Sequence, residues 1–224
     1  MSFFTDIFNG LSAEEKESFY KTVILNDTAE YAAKARVDYY RTQFKSMGEN
    51  VTIGAGVKII NPEFISVGDN VSIGDNCTLI ARGEKGITLA DGVRLQHRVY
   101  LDTERVTDGY INVGKGVYIG TGTTLFGHKG LEIGDDCLLA QNITLTPYSH
   151  IYDDPDNIIY SQGGHCEKVT IGNDVYIGMG CCVMYSGNIG EGSVIGAHST
   201  VVKPIPPYSV AVGTPARVIK KRGE

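Results

Sequence analysis

From Val169 to Val201 the chain repeats itself every six residues. Ile171, Ile177, Val183, Ile189, Ile195 and Val201 are aliphatic, and the slimmer Val175, Cys181, Gly187, Ser193 and Ser199 stand four places after the first five of them. An α-helix would scatter positions six apart around its cylinder, and a flat strand would carry strict alternation for longer. Short strands joined by tight turns containing Gly or Asn satisfy the spacing, and three hexads then close one triangular coil of a solenoid.

The register extends back to Val51. Inward aliphatics fall at Ile53 and Ile59, then in triplets at Val67, Ile73 and Leu79, at Leu89, Leu95 and Leu101, at Val113, Ile119 and Leu125, and at Ile133, Leu139 and Leu145. Steps within a triplet are six, while steps between triplets are 8, 10, 12, 8, 26 and 6. Every surplus residue therefore follows a third rung, so all insertions leave the coil at one corner. The predicted fold is an all-β solenoid, a parallel β-helix of about seven coils with one long extruded loop. Each buried rung contributes on the order of 1.5–3 kcal/mol, so the ladder offsets much of the ordering entropy.

Residues 1–48 lack the hexad and read as a helical cap, residues 49–205 as the solenoid, and residues 206–224 as a basic C-terminal segment. Ser12 to Glu15 forms a capping-box pattern ahead of a helix running to about Leu25, and Asp27 to Glu30 repeats it before a second helix ending near Gly48. Tyr31, Ala32, Ala35, Tyr39, Phe44 and Met47 are expected on one face of that helix, covering the open end of the core or else helping to shape an acceptor pocket. Gly at the corners and small cross-sections explain why the chain has 28 Gly and no Trp. A net charge of −6 argues against a nucleic-acid partner. The five cysteines include no CxxC pair, and Cys77, Cys137 and Cys181 occupy small inward positions, which points to reduced thiols used as filler. Residues 1–8 lack a basic region and a long apolar core, and no stretch approaches 18 apolar residues, so a cytoplasmic protein without membrane insertion is expected.

The step of 26 marks residues 146–168, TPYSHIYDDPDNIIYSQGGHCEK, with two histidines, four acidic residues and three tyrosines. Loops of this length in a compact domain are usually functional. Together with the hexads IGNDVYIGMGCC and IGEGSVIGAHST, the stretch IGDDCLLAQNITLTPYSHIYDD and the ending IPPYSVAVGTPARVIKKR, it resembles the hexapeptide-repeat acyltransferases, in particular the galactoside and maltose O-acetyltransferase branch. The resemblance spans Val51 to Arg222. It implies a left-handed parallel β-helix, a homotrimer with active sites between subunits, acetyl-CoA as cosubstrate, no metal, and a sugar or saccharide hydroxyl as acceptor.

Acetyl transfer to a hydroxyl needs a base, donors for the thioester oxyanion and a groove for the donor substrate. A histidine, unperturbed near pH 6.5, suits the base, and His150 aligns with the catalytic histidine of the resemblance. His165, in the same loop after two glycines, is its rival; His97, His128 and His198 fall at outward or corner positions and are expected to be exposed. Asp153 or a backbone carbonyl is expected to orient the base. Asn142, Tyr148, Tyr152 and His128 are candidates for the acceptor; the resemblance puts an acidic sugar ligand at the place of His128 and an Asn at that of Gly120. It also puts the N–H of Met179 or Gly180 near the thioester, Ala197 further along the donor, and Lys203, Arg217 and Lys220 near its phosphates.

Two other classes compete. Zinc hydratases of the same fold need two histidines in an HxxxxH arrangement, whereas the gaps here are 31, 22, 15 and 33. A non-catalytic scaffold has no use for a long histidine-bearing loop beside a basic tail. Within the transferase class, an amine or an antibiotic hydroxyl is the alternative acceptor.

Overall fold

The computed structural model describes residues 10–104 and 109–224; the residues 1–8 read above for a leader lie outside them. The hexads wind into a parallel β-solenoid of about seven turns with three faces. On the first face, strands run from Ser46–Met47 through Ile65–Val67, Ile87–Leu89, Ile111–Val113 and Leu131–Ile133 to Val169–Ile171. The second face runs from Thr52–Ile53 to Val194–Ile195, and the third from Lys58–Ile60 to Thr200–Val201. Registers stack like on like: Ile119 pairs with Leu95 below and Leu139 above, and Leu125 with Leu101 and Leu145.

These rungs are the core. Leu79, Leu89, Leu101, Ile119, Leu125, Leu139, Leu145, Ile177, Val183, Ile195 and Val201 are fully buried, and Ile59 in the first coil is half-buried. A second buried series, Ile65, Ile87, Ile111, Leu131 and Val169, opens each first-face strand after Ser46–Met47, two residues before the expected rung. Its alternation with Val67, Leu89, Val113, Ile133 and Ile171 follows the two-residue period of a strand. These residues fill the corner that every insertion leaves, between the third and first faces.

The N-terminal helices differ from expectation in their ends. Ser12 caps Ala13–Phe19 with a reciprocal bond to Glu15, and the helix widens to a π-turn over Tyr20–Ile24. The second helix is Glu30–Arg41; its N-cap is Ala29, while the Asp27 carboxylate accepts from the Ala29 N–H just ahead of it. The helix stops seven residues before Gly48 because Ser46–Met47 is already a strand, paired with Ser66–Val67. Its buried residues are Ala32, Arg36 and Tyr40, four apart, whereas Tyr31 is exposed. Arg36 donates to the carbonyls of Ile53, Ile24 and Asp27 at 2.9, 3.0 and 2.6 Å. One buried guanidinium thus ties both helices to the first coil.

At the other end Ser209–Gly213 adds to the second face beside Val194–Ile195, and Ala216–Lys221 returns antiparallel to it. All five cysteines are free thiols, with Cys77, Cys137 and Cys181 buried. No helix among the described residues is long and apolar enough to cross a membrane.

Candidate active site

The long insertion leaves the solenoid after Leu145 as a two-stranded ribbon. Tyr148–His150 runs antiparallel to Gly164–Cys166, with Ser149 opposite His165 and His150 opposite Gly164. Strand alternation puts Tyr148 and His150 on one face of the ribbon, and Ser149 and His165 on the other. Beyond it, Asp154 organises the tip: its side chain accepts from the Asp156 N–H at 2.9 Å and the Asn157 amide at 2.7 Å, while its carbonyl accepts from Gln162. Ile158, Ile159 and Tyr160 stand exposed at that tip.

A cleft of about 410 Å³ opens where the ribbon meets the edge of the last coils. His150, His165, Tyr152, Asp153, Met184, Tyr185 and Val202 are among its walls. His150 is exposed, and its Nδ1 lies 3.2 Å from the Tyr148 hydroxyl. Among the described residues the imidazole has no hydrogen bond to Asp153, which shares the cleft but not the contact. Met184, Tyr185 and Val202 were not expected. They follow third-face rungs, so they line the corner that the loop leaves, and that place in the hexad was the available signal.

His128 is not the exposed corner residue expected. It is half-buried, its ring stacked on Tyr148 at 4.9 Å and 17°, with Phe126 at 5.8 Å on another side. Its Nδ1 is buried without a partner among the described residues. Burial holds its pKa below the ordinary imidazole value, against the pull of Glu104 and Asp102. Below it, Asp102 accepts from Arg82 Nε at 2.9 Å and from the Tyr100 hydroxyl at 2.9 Å. His97 and His198 are exposed, His97 facing Asp75 at 3.5 Å.

The remaining candidates gather on a different edge, between the second and third faces. Asn142, with φ of 56°, sits at the turn between Leu138–Leu139 and Thr144–Leu145 and is not among the walls of the His150 cleft. Gly122 lies under it, where a Cβ would meet the Asn142 Oδ1 at 2.4 Å. Gly120 is a stacking position, since a Cβ there would lie 2.4 Å from the Ala140 carbonyl oxygen. Met179, Gly180 and Ala197 continue this edge in the later coils. The Gly180 N–H donates to the Gln141 carbonyl at 2.9 Å, whereas the Met179 and Ala197 N–H groups have no acceptor among the described residues. The turn of the C-terminal ribbon reaches the same edge, its Thr214 hydroxyl donating to the His198 carbonyl.

Of the basic residues, Arg217 bonds, among the described residues, only the carbonyl of Ala216, Lys220 reaches the Glu224 carbonyl, and Lys203 is exposed by the loop's own corner. Lys221 and Arg222, by contrast, serve the fold: Lys221 Nζ donates to the Pro207 carbonyl, and Arg222 to Asp174 Oδ2 at 2.7 Å and the Gly192 carbonyl at 3.0 Å. No group of three or more His, Cys, Asp or Glu among the described residues is placed to hold a metal ion.

Residues 64–102, 110–147 and 168–203, just over half of the chain, match the hexapeptide repeat of succinyl-transferase. The chain is 37% identical to galactoside O-acetyltransferase of Escherichia coli over 113 residues, 50% of this chain and 54% of that protein. It is 36% identical to a probable acetyltransferase of Mycobacterium tuberculosis over 121 residues, 54% of this chain and 40% of that one. These matches thus span about half the length of the curated relatives. A solved structure of a variant of AntD, an N-acyltransferase from Bacillus cereus, in complex with dTDP and coenzyme A, superposes with a TM-score of 0.58 at 25% identity, covering 83% of this chain and 88% of that one.

Proposed function

The chain belongs to the hexapeptide-repeat family, and from that premise we propose that it is an acetyl-CoA-dependent O-acetyltransferase acting on a sugar or saccharide hydroxyl. One observation carries the reading: the imidazole of His150 projects from a ribbon at the edge of the solenoid into a cleft large enough for a sugar ring. His150 takes the proton of the acceptor hydroxyl as its oxygen attacks the thioester carbonyl. Collapse of the tetrahedral intermediate expels the thiolate of coenzyme A, which recovers the proton from the imidazolium. The products are the acetyl ester and the free thiol. Tyr152 and Asp153 in the cleft wall offer the acceptor a ring face and a hydrogen-bond acceptor.

The free N–H groups of Met179 and Ala197 suit a pantetheine laid along the coils, with Gly180 leaving room for its approach and Arg217, Lys220 and Lys203 toward the phosphates. Apart from Lys203, which lies at the loop's corner, these groups and His150 stand on different edges of one chain. That separation supports a site assembled between copies, as a homotrimer would provide, and the exposed Ile158, Ile159 and Tyr160 supply apolar surface for such a contact. Asn142 then belongs to the edge that a neighbouring copy's loop faces, while His128, half-buried, stacks under Tyr148. The free state of all five thiols supports a cytoplasmic setting.

The likeness to AntD, an N-acyltransferase, favours as second reading an amino-sugar amine as the acceptor. A panel of sugars, amino sugars and antibiotic hydroxyl compounds, assayed by release of coenzyme A thiol, separates the two. Absence of thiol release with every acceptor, together with no thermal stabilisation by acetyl-CoA, would count for a scaffold.

A further inference from the structure

Every hydrogen bond that a histidine base makes at one ring nitrogen decides what the other can do, because a neutral imidazole carries one N–H and one lone pair. On the exposed ribbon the His150 ring has a single hydrogen-bonding neighbour among the described residues, the Tyr148 hydroxyl 3.2 Å from Nδ1. The two rings meet edge to face, with centroids 4.9 Å apart at 88°. Asp154, the other carboxylate near in sequence, is occupied in the loop tip.

Tyr148 itself is held from two sides. Its ring stacks on His128, and on the opposing strand it lies over Gly164, where a Cβ would meet its ring carbon and its hydroxyl at 2.4 Å. Gly164 has no positive φ, so its backbone does not require glycine. What requires it is the space taken by the tyrosine. A bare backbone position on one strand thus admits a ring whose hydroxyl reaches the histidine on the other.

We infer that Tyr148 is the positioning residue for His150: its phenolic oxygen accepts the Nδ1 proton, which leaves the Nε2 lone pair free to take the proton of the acceptor. The inference rests on His150 being the base. A neutral phenol does this without setting a second charge on an exposed ribbon, and the stack on His128 fixes the ring without occupying the hydroxyl.

The test uses the full chain with Tyr148→Phe, which keeps the stack and removes only the hydroxyl, and Gly164→Ala, which displaces it. Both are expected to lower kcat about 10- to 100-fold, with thermal stabilisation by acetyl-CoA unchanged. In protein labelled with 15N at the imidazoles, with the His150 signal assigned through His150→Gln, the Nδ1–H form is expected to dominate and to be lost in Tyr148→Phe. An unchanged His150 tautomer in Tyr148→Phe overturns the inference whatever the activity. Full kcat in Tyr148→Phe beside an inactive His150→Ala overturns it while leaving the base in place. Full activity of His150→Ala overturns the base itself and the positioning role with it.

Discussion

The phenol of Tyr148 lies between two histidines: its ring is stacked on His128, and its hydroxyl is 3.2 Å from Nδ1 of His150. The three side chains come from two coils, His128 from the corner before the last uninterrupted rungs and the other two from the extruded ribbon. The chemistry proposed for the cleft hangs on this column.

Replacing His150 by Ala is expected to reduce turnover by roughly 10²–10⁴. The residue is exposed and its ring bonds, among the described residues, only Tyr148, so the melting temperature and acetyl-CoA binding should stay as they were. Steady-state kinetics beside thermal melts check both halves.

Asp102 confers stability that depends on pH. Burial alone would raise its carboxyl, but bonds from Arg82, the Glu104 N–H and the Tyr100 hydroxyl outweigh this and hold its pKa below the usual value. A carboxyl depressed in the folded state contributes fully above its unfolded value and loses the contribution as pH falls through the folded one. Asp102→Asn should therefore cost on the order of 1–3 kcal/mol near neutrality. The gap to the parent chain should begin to narrow as the pH drops below about 4, the unfolded value, and close only below the lower folded one. Denaturant melts across that range measure it.

Gly120→Ala and Gly122→Ala are expected to differ although they lie on one corner. At Gly122 the φ of 74° costs a side chain about 1–2 kcal/mol, and the atom met is the movable Asn142 side chain. At Gly120 the atoms met are the Ala140 carbonyl oxygen and carbon at 2.4 and 2.5 Å, backbone of the next coil that cannot rotate away. Chemical denaturation should show Gly120→Ala as the more damaging.

Cys77 and Cys137 should resist alkylation at pH 8 in the folded protein. Burial pushes both thiols up to about 11, and their Sγ atoms donate to the carbonyls of Gln96 and Gly172. Mass spectrometry after iodoacetamide treatment, with and without denaturant, should find them modified only on unfolding.

Arg217 and Arg222 should separate under substitution. Arg222→Ala breaks bonds to Asp174 and Gly192 and is expected to lower the melting temperature without ligand. Arg217→Ala should leave that temperature unchanged and reduce the stabilisation by acetyl-CoA, because its one hydrogen bond among the described residues is to its neighbour's carbonyl. Melts at several acetyl-CoA concentrations read both effects.

The rungs were legible because a coil is a local object. Ile119 faces inward for the same reason as Leu95 and Leu139, and six-residue spacing needs no knowledge of distant chain to be read. The shared corner of the insertions followed from the same counting, and so did the ribbon's place in the chain. Arg36 was not legible: a charged residue on a helix reads as solvated until three carbonyls from elsewhere are seen to meet it. His128 was read as exposed because nothing near it in sequence announces that the ribbon folds back and lays Tyr148 across its ring.

What the amino-acid order determined alone is thus the solenoid, its period and the edge from which surplus chain departs, since each depends on contacts between residues one turn apart. Only the tertiary structure decided which side chain touches His150, which amides of the Met179 edge stay free, and which basic residues are spent on the fold. Those are meetings of segments far apart in the chain, and sequence spacing carries no distance between them.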